Sequence, residues 1–277
     1  MNDDFYIGWA DRAPRGLRTW IQWVVLSTGG VVVGLAIALA SDQRTIGRSV
    51  FEWGNVKQFS GVIESWPYAH LRVARPKTSG ESDTFSRYPL VRPFKFGLSS
   101  NVIDQFAGRE VNLKGTLIYR ENQTMLEVLE ETIQTEPAAA KGSSSSKTGH
   151  SDATIKEKPA GATSVGTWTL QGEIVDSKCH YGVMNPGRFE PHRACAVRCI
   201  SGGIPPILVT QDAQGHELQL LLVSAEGAAV NKEVLDWVAR PVQITGMVER
   251  YDTLWILKAD PKTYRKPSET AQTSTPP

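Results

Sequence analysis

The passage VARPVQITGMVERYDTLWILK, Val238 to Lys258, reads as a β-hairpin. Val242, Ile244, Gly246 and Val248 alternate onto one face of a strand, Tyr251-Asp252-Thr253 supplies a polar turn, and Leu254 to Leu257 returns as a buried strand. Just upstream, Asn231 is placed to cap a short helix whose Val234, Leu235 and Val238 make an apolar stripe, stopped before Pro241. Strands, one short helix and then a hairpin is the order of a five-stranded OB-like barrel.

A similar passage lies in the first half of the chain, FAGREVNLKGTLIYRENQTMLEVLE from Phe106 to Glu130. Val111 corresponds to Val242, Gly115 to Gly246 and Leu117 to Val248. Each unit also opens alike, with Gly61-Val-Ile-Glu and Gly172-Glu-Ile-Val, and the first has its own candidate helix, capped by Ser100 with Val102, Ile103 and Phe106 behind it. The expected fold is mainly β: two tandem small OB-like β-barrels, residues 55–133 and 166–260, behind a single N-terminal transmembrane helix. Residues 134–165 read as a flexible linker rich in Ala, Ser, Gly, Lys and Thr, with a reach of about 30 Å that would let the barrels move independently. Residues 261–277, equally polar and ending in Pro-Pro, read as a disordered tail.

Residues 20–40, WIQWVVLSTGGVVVGLAIALA, carry no charge, and at about 1.5 Å per residue they match the roughly 30 Å of a bilayer core. Trp20 and Trp23 suit the headgroup level. Arg12, Arg15 and Arg18 before the span outweigh Arg44 and Arg48 after it, which places residues 1–19 in the cytoplasm. Ala38-Leu39-Ala40 before Ser41 also fits a signal-peptidase site, so a cleaved export signal stays open beside an uncut anchor. Either way the rest of the chain is exported to an oxidising compartment.

The 277 residues hold 30 basic and 29 acidic side chains, a formal charge of +1, so no strong field draws nucleic acid, and no nucleic-acid partner is expected. No Gly-rich phosphate loop, G-x-S-x-G elbow, H-E-x-x-H or paired-acid signature occurs, and the expectation leans away from an enzyme.

The three cysteines all lie within VDSKCHYGVMNPGRFEPHRACAVRCISGGIPPILV, Val175 to Val209, which interrupts the second unit. Pro191 opens and Gly202-Gly203 closes a short helix over residues 191–201, placing His192, Cys195 and Cys199 at i, i+3 and i+7 on one face. Cys179, at the end of the preceding strand, is free to fold back over that face. Cys179, His192, Cys195 and Cys199 are therefore candidate metal ligands, soft donors suited to zinc, copper or iron. The spacing C-x15-C-x3-C is no standard zinc knuckle, and the lack of C-x-x-C-H excludes covalently attached c-type haem. Two alternatives remain: a disulfide between Cys179 and one helical cysteine, stapling the insertion, or a reactive thiolate at Cys179 or Cys195.

Around this cluster, His180 could be a further ligand or a base, though an exposed loop position explains it more simply. Asp176 and Ser177 read as caps of the turn leaving the strand. Arg193 and Arg198 fall off the cysteine face and read as solvated. Met184 is a possible soft copper ligand, with gap-filling the simpler reading. His70, His150 and His216 form no cluster.

The pattern D-S-x-C, then H-x-x-C-x-x-x-C, a Gly turn and a strand, here Asp176 to Cys179, His192 to Cys199, Gly202-Gly203 and Ile207 to Val209, resembles a group of small exported bacterial domains with an OB-like fold. Those domains also end in a V-x-V-T-G-x-V-like strand, matched by Val242 to Val248. The resemblance covers about 90 residues, implies a bacterial exported domain whose cysteines and His192 act as a unit, and brings no activity with it. The loop between Cys179 and His192, with Asn185-Pro186-Gly187, is longer here. The resulting expectation is a single-pass protein of a bacterial inner membrane with its barrels in the periplasm. There it would serve as a binding or accessory module for a membrane or periplasmic protein partner, such as a redox complex. A purely structural interaction protein and a thiol redox enzyme are the alternatives.

Overall fold

The computed structural model describes residues 14–43, 49–76, 84–135 and 162–267. The chain divides into two units, Met1–Gly47 and Arg48–Pro277. Among its described residues the first carries one helix, α1 (Arg15–Gln43), whose apolar stretch runs from Arg15 to Ser41 and is long enough to cross a membrane. None of that stretch is buried against protein. In lipid the backbone bonds of such a helix are satisfied internally, which is what a lone span requires.

The second unit holds two closed barrels of five strands each, a tandem OB-like architecture. The first barrel is built from β1 (Ser49–Phe51), β2 (Lys57–Glu64), β3 (His70–Ala74), β4 (Phe85–Val91), α2 (Ser100–Phe106), β5 (Glu110–Arg120), β6 (Gln123–Val128) and β7 (Gln134–Thr135). Strand order β2-β3-β4-β6-β5 closes on β2, with only β4 and β6 parallel, and β1 and β7 flank β5. The second barrel follows with β8 (Thr163–Asp176), α3 (Arg193–Ser201), β9 (Pro206–Gln211), β10 (Glu217–Val223), β11 (Pro241–Tyr251) and β12 (Leu254–Lys258). Its order β8-β9-β10-β12-β11 is the same circuit, again with one parallel pair, β10 with β12.

The two barrels also share a register. Gly61 of β2 stands opposite Val111 of β5, and Gly172 of β8 stands opposite Val242 of β11. A Cβ on Gly61 would run into the carbonyl of Arg72, and one on Gly172 into that of Val209. Both glycines sit where a neighbouring strand's backbone approaches too closely for a side chain. Inside, Leu71, Leu90, Leu113 and Leu126 fill the first barrel, and Leu170, Ile174, Leu220 and Ile244 the second.

A third apolar cluster belongs to both barrels. Trp66, Tyr68, Ile118 and Met125 of the first pack with Val175, Ile204, Ile207 and Tyr251 of the second. Tyr68 Oη donates to the Leu222 carbonyl at 3.0 Å and accepts the Val230 N–H at 3.1 Å. Arg87, 5% exposed, pairs with Asp252 at 2.7 Å and lies over the Tyr251 ring at 3.4 Å. Arg120 pairs with Glu217 at 3.0 Å. These buried links overturn the expectation of independently moving barrels: whatever the reach of a connecting coil, separating them would expose apolar surface and strand buried charges.

Boundaries differ in detail. The linker assignment falls on residues 136–161, outside the described residues, but Gln134–Thr135 forms β7, and β8 begins at Thr163, where polar residues pair with Glu249 and Arg250. The tail assignment lies outside the described residues from 268 on. Before that, Tyr264 is buried at 5% exposure, and Arg265 exchanges backbone hydrogen bonds with Gln243, so the chain stays docked to residue 265. Helix α2 starts after Ser99 rather than Ser100, and Ser99 donates its N–H to Glu130 at 2.7 Å instead of capping. In the second barrel the expected helix shrinks to one tight turn, Leu235–Trp237, with Val234 and Val238 buried. Asn231 does not cap it: its amide donates to the carbonyls of Ile200 and Ile204, tying α3 to the barrel.

Candidate metal centre

The cysteine passage is inserted between β8 and β9, as its spacing implied. Strand β8 ends at Asp176, a single wide turn covers Cys179–Val183, and a short turn over Glu190–His192, opened by Pro191, leads into α3. Gly202 donates its N–H back to the Arg198 and Cys199 carbonyls and ends the helix.

The structure brings the four sequence candidates into one neighbourhood. The ligand atoms of Cys179, His192 and Cys195 lie within 4.8 Å of one another, as do those of Asp176, Cys179 and Cys199, so Cys179 belongs to both groups. All three cysteines are free thiols, and the closest pair of sulfurs is 4.1 Å apart. That is about twice the roughly 2.0 Å of a disulfide. It is close to the edge of a thiolate tetrahedron, about 3.8 Å for metal–sulfur bonds of about 2.3 Å. Cys179, Cys199 and His192 are buried, and Cys195 is partly exposed at the rim.

Asp176 is the organising residue the sequence reading undervalued. It does cap the turn, its Oδ1 accepting the Cys179 N–H at 2.8 Å, but its Oδ2 lies 3.1 Å from His192 Nε2, and the residue is fully buried. One carboxylate thus sets the direction of two candidate ligands. A hydrogen bond at Nε2 leaves Nδ1 as the ring's free lone pair, the arrangement by which carboxylates fix metal-binding imidazoles. Ser177 donates to the Pro205 carbonyl at 2.8 Å and serves the turn alone.

Electrostatics divide the sulfurs. The Cys179 thiol is pushed up by the neighbouring Cys199 sulfur, by burial and by the nearby Asp176 charge. Cys199 is pulled down, first by the neighbouring Cys179 thiol and further by Lys95, against the opposing effects of burial and the Asp176 charge. Lys95, from the loop between β4 and α2 of the first barrel, places Nζ 2.7 Å from Cys195 Sγ and 3.9 Å from Cys199 Sγ. Its hydrogen bond to Cys195 raises the ammonium above its usual range. Nothing in the local sequence of Lys95 signals this role, because the contact joins residues one hundred positions apart.

Other candidates separate from the site. His180 is fully buried rather than an exposed loop residue, and its Nε2 faces Glu217 at 3.0 Å. Burial alone would raise the Glu217 carboxyl, but His180, Gln219 and Arg120 together hold it at about 2. Arg193 donates to the Val238 carbonyl at 3.2 Å, and Arg198 is exposed. Met184 is 46% exposed and fills no gap. His70 lies in the interface between the barrels beside Glu64, His216 is exposed on Asp212, and His150 falls outside the described residues. An open cleft of about 750 Å³ on the second barrel is lined by Glu173, Arg188, Glu217 and Arg240 and contains none of the cysteines.

Comparison with protein-family models and with curated proteins gives no match. Among solved structures the chain is similar to a deletion mutant of the single-stranded DNA binding protein from Thermus aquaticus. That likeness has 11% identity, covers 83% of this chain and 93% of the other, and has a TM-score of 0.22.

Proposed function

We propose that this protein is a membrane-anchored accessory module whose second barrel binds one soft metal ion through Cys179, His192 and Cys195, with Cys199 beside them as the fourth donor. The observation that carries this reading is the convergence of two thiols and an imidazole within 4.8 Å, with a buried carboxylate on Nε2 of the imidazole. Three sulfurs and one nitrogen suit zinc, copper(I) or iron, and a shell closed by protein donors suits a structural or carrier role better than a catalytic one. The apolar helix supplies the anchor, and an exported, periplasmic position follows from the charge bias around it. Such a module would serve a membrane or periplasmic partner, for example a redox complex. The disulfide reading finds no support in sulfurs 4.1 Å apart.

Metal analysis of the full chain in detergent tests this. The expected result is about one metal per chain, lost in Cys179→Ser, with three free thiols counted after chelation. Metal-free protein with one free thiol would instead establish the disulfide staple and end the metal reading.

A further inference from the structure

The first barrel packs against the cysteine cluster, and one of its contacts there is a cation on a sulfur. We infer that Lys95 is a positioning residue of the metal centre, donating an N–H···S hydrogen bond to the Cys195 thiolate, so that the centre is assembled from both barrels. This rests on the metal reading above and adds to it the purpose of the first barrel.

The geometry is built rather than incidental. Arg92 donates its N–H to the Phe96 carbonyl at 2.9 Å and its Nε to the Gly97 carbonyl at 2.9 Å, closing the loop on itself. At the tip Phe94 holds a φ of 64°, a left-handed conformation costly for an aromatic residue, which turns the chain so that Lys95 faces the second barrel. The second barrel then grips the loop beside its own ligands. Lys178, adjacent to Cys179 and only 2% exposed, donates to the Arg92 and Phe94 carbonyls at 2.7 and 2.8 Å and pairs with Glu127 of β6 at 2.5 Å. Gly202, which ends the helix bearing Cys195 and Cys199, accepts the Gly97 N–H at 3.0 Å. Any side chain at Gly202 would collide with the Lys95 carbonyl. The loop is therefore pinned on both flanks of the sulfur cluster.

Charge explains what the pinning is for. Three thiolates, a neutral imidazole and a divalent ion sum to about −1, the buried Asp176 carboxylate adds a further negative charge, and uncompensated charge in a mostly buried site is costly. Arg193 and Arg198 are turned elsewhere, and Lys95 supplies one counter-charge. A charge-assisted hydrogen bond to a thiolate also draws electron density from the sulfur, so the metal-bound Cys195 becomes a poorer nucleophile.

The test uses the full chain in detergent, loaded with zinc, and compares wild type, Lys95→Met, Lys95→Arg and Lys178→Met. Iodoacetamide is the probe, and mass spectrometry locates the alkylated cysteine. Lys95→Met is expected to speed alkylation at Cys195 by about tenfold, Lys95→Arg to restore most of the protection, and Lys178→Met, which loosens the loop without removing the cation, to change Cys195 less than Lys95→Met. With cobalt in place of zinc, the sulfur-to-cobalt absorption should move to longer wavelength in Lys95→Met alone. Equal Cys195 rates in metal-loaded wild type and Lys95→Met, with an unmoved cobalt band, would overturn the role of Lys95 and leave the metal centre standing. A wild-type chain that takes up neither zinc nor cobalt would overturn both.

Discussion

Asp176 Oδ2 lies 3.1 Å from His192 Nε2, with Asp176 wholly buried and His192 7% exposed. A buried carboxylate on a buried histidine fixes the direction of that ring. Here the other carboxylate oxygen also holds the backbone of Cys179. Asp176→Asn keeps the size but loses the charge, so metal affinity should fall by about 10–100-fold, as for other carboxylates behind metal-bound imidazoles. Competition with a chromophoric chelator measures it. An unchanged affinity would make Asp176 a turn cap and nothing more.

The interface between the barrels carries its own acid sensitivity. Burial alone would raise the Glu64 carboxyl, but hydrogen bonding from His70 and the charge of Arg87 bring it from its ordinary 4.5 to about 2. A carboxyl depressed in the folded state adds stability above its ordinary value and loses it as pH falls towards the folded value. Denaturant titrations of wild type should therefore lose stability from about pH 4.5 down to about pH 2. Glu64→Gln should be less stable at neutral pH and flatter across that window. A variant with the wild-type acid profile would remove Glu64 from the account.

Tyr68 tests whether the barrels are one body. Tyr68→Phe leaves the Leu222 carbonyl and the Val230 N–H without their shared hydroxyl in a buried setting. The expected loss is about 1–3 kcal/mol in a single unfolding transition. Two separate transitions, one per barrel, would show that the shared core of Trp66, Ile118, Ile207 and Tyr251 does not couple them.

Gly172→Ala tests the close backbone approach common to both barrels. Its Cβ would meet the Val209 carbonyl, a backbone atom that cannot rotate aside, so a cost of about 1–3 kcal/mol is expected. The same change at Gly54, where open space surrounds the Cβ but φ is 80°, adds only backbone strain. Equal thermal shifts for the two would contradict the close-approach argument.

The barrels were legible because their cues are local. The alternation of Val242, Ile244, Gly246 and Val248, the turn at Asp252, and the recurrence of that pattern around Gly115 each follow from a few consecutive residues. Cys195 and Cys199 lie one turn apart on α3, a matter of helical spacing, but the helix begins at Arg193 rather than Pro191, and His192 belongs to the short turn before it. What stayed hidden depends on contacts distant in sequence. The shared core needs Tyr68 to find Leu222, and the environment of His180 needs Glu217 to fold over it. Lys95 needs the whole first barrel to be in place. Asn231 shows the same limit in a single residue: its helix-capping chemistry is real, but tertiary packing directs it to Ile200 and Ile204.

The central claim is a thiolate and imidazole shell around one ion, and X-ray absorption at the edge of the bound metal in the purified full chain reads that shell directly. The account predicts three sulfur neighbours at about 2.3 Å and one nitrogen at about 2.0–2.1 Å, with a sulfur lost in Cys195→Ser and the nitrogen lost in His192→Ala. A shell of oxygen and nitrogen alone, or one unchanged by either substitution, would contradict it.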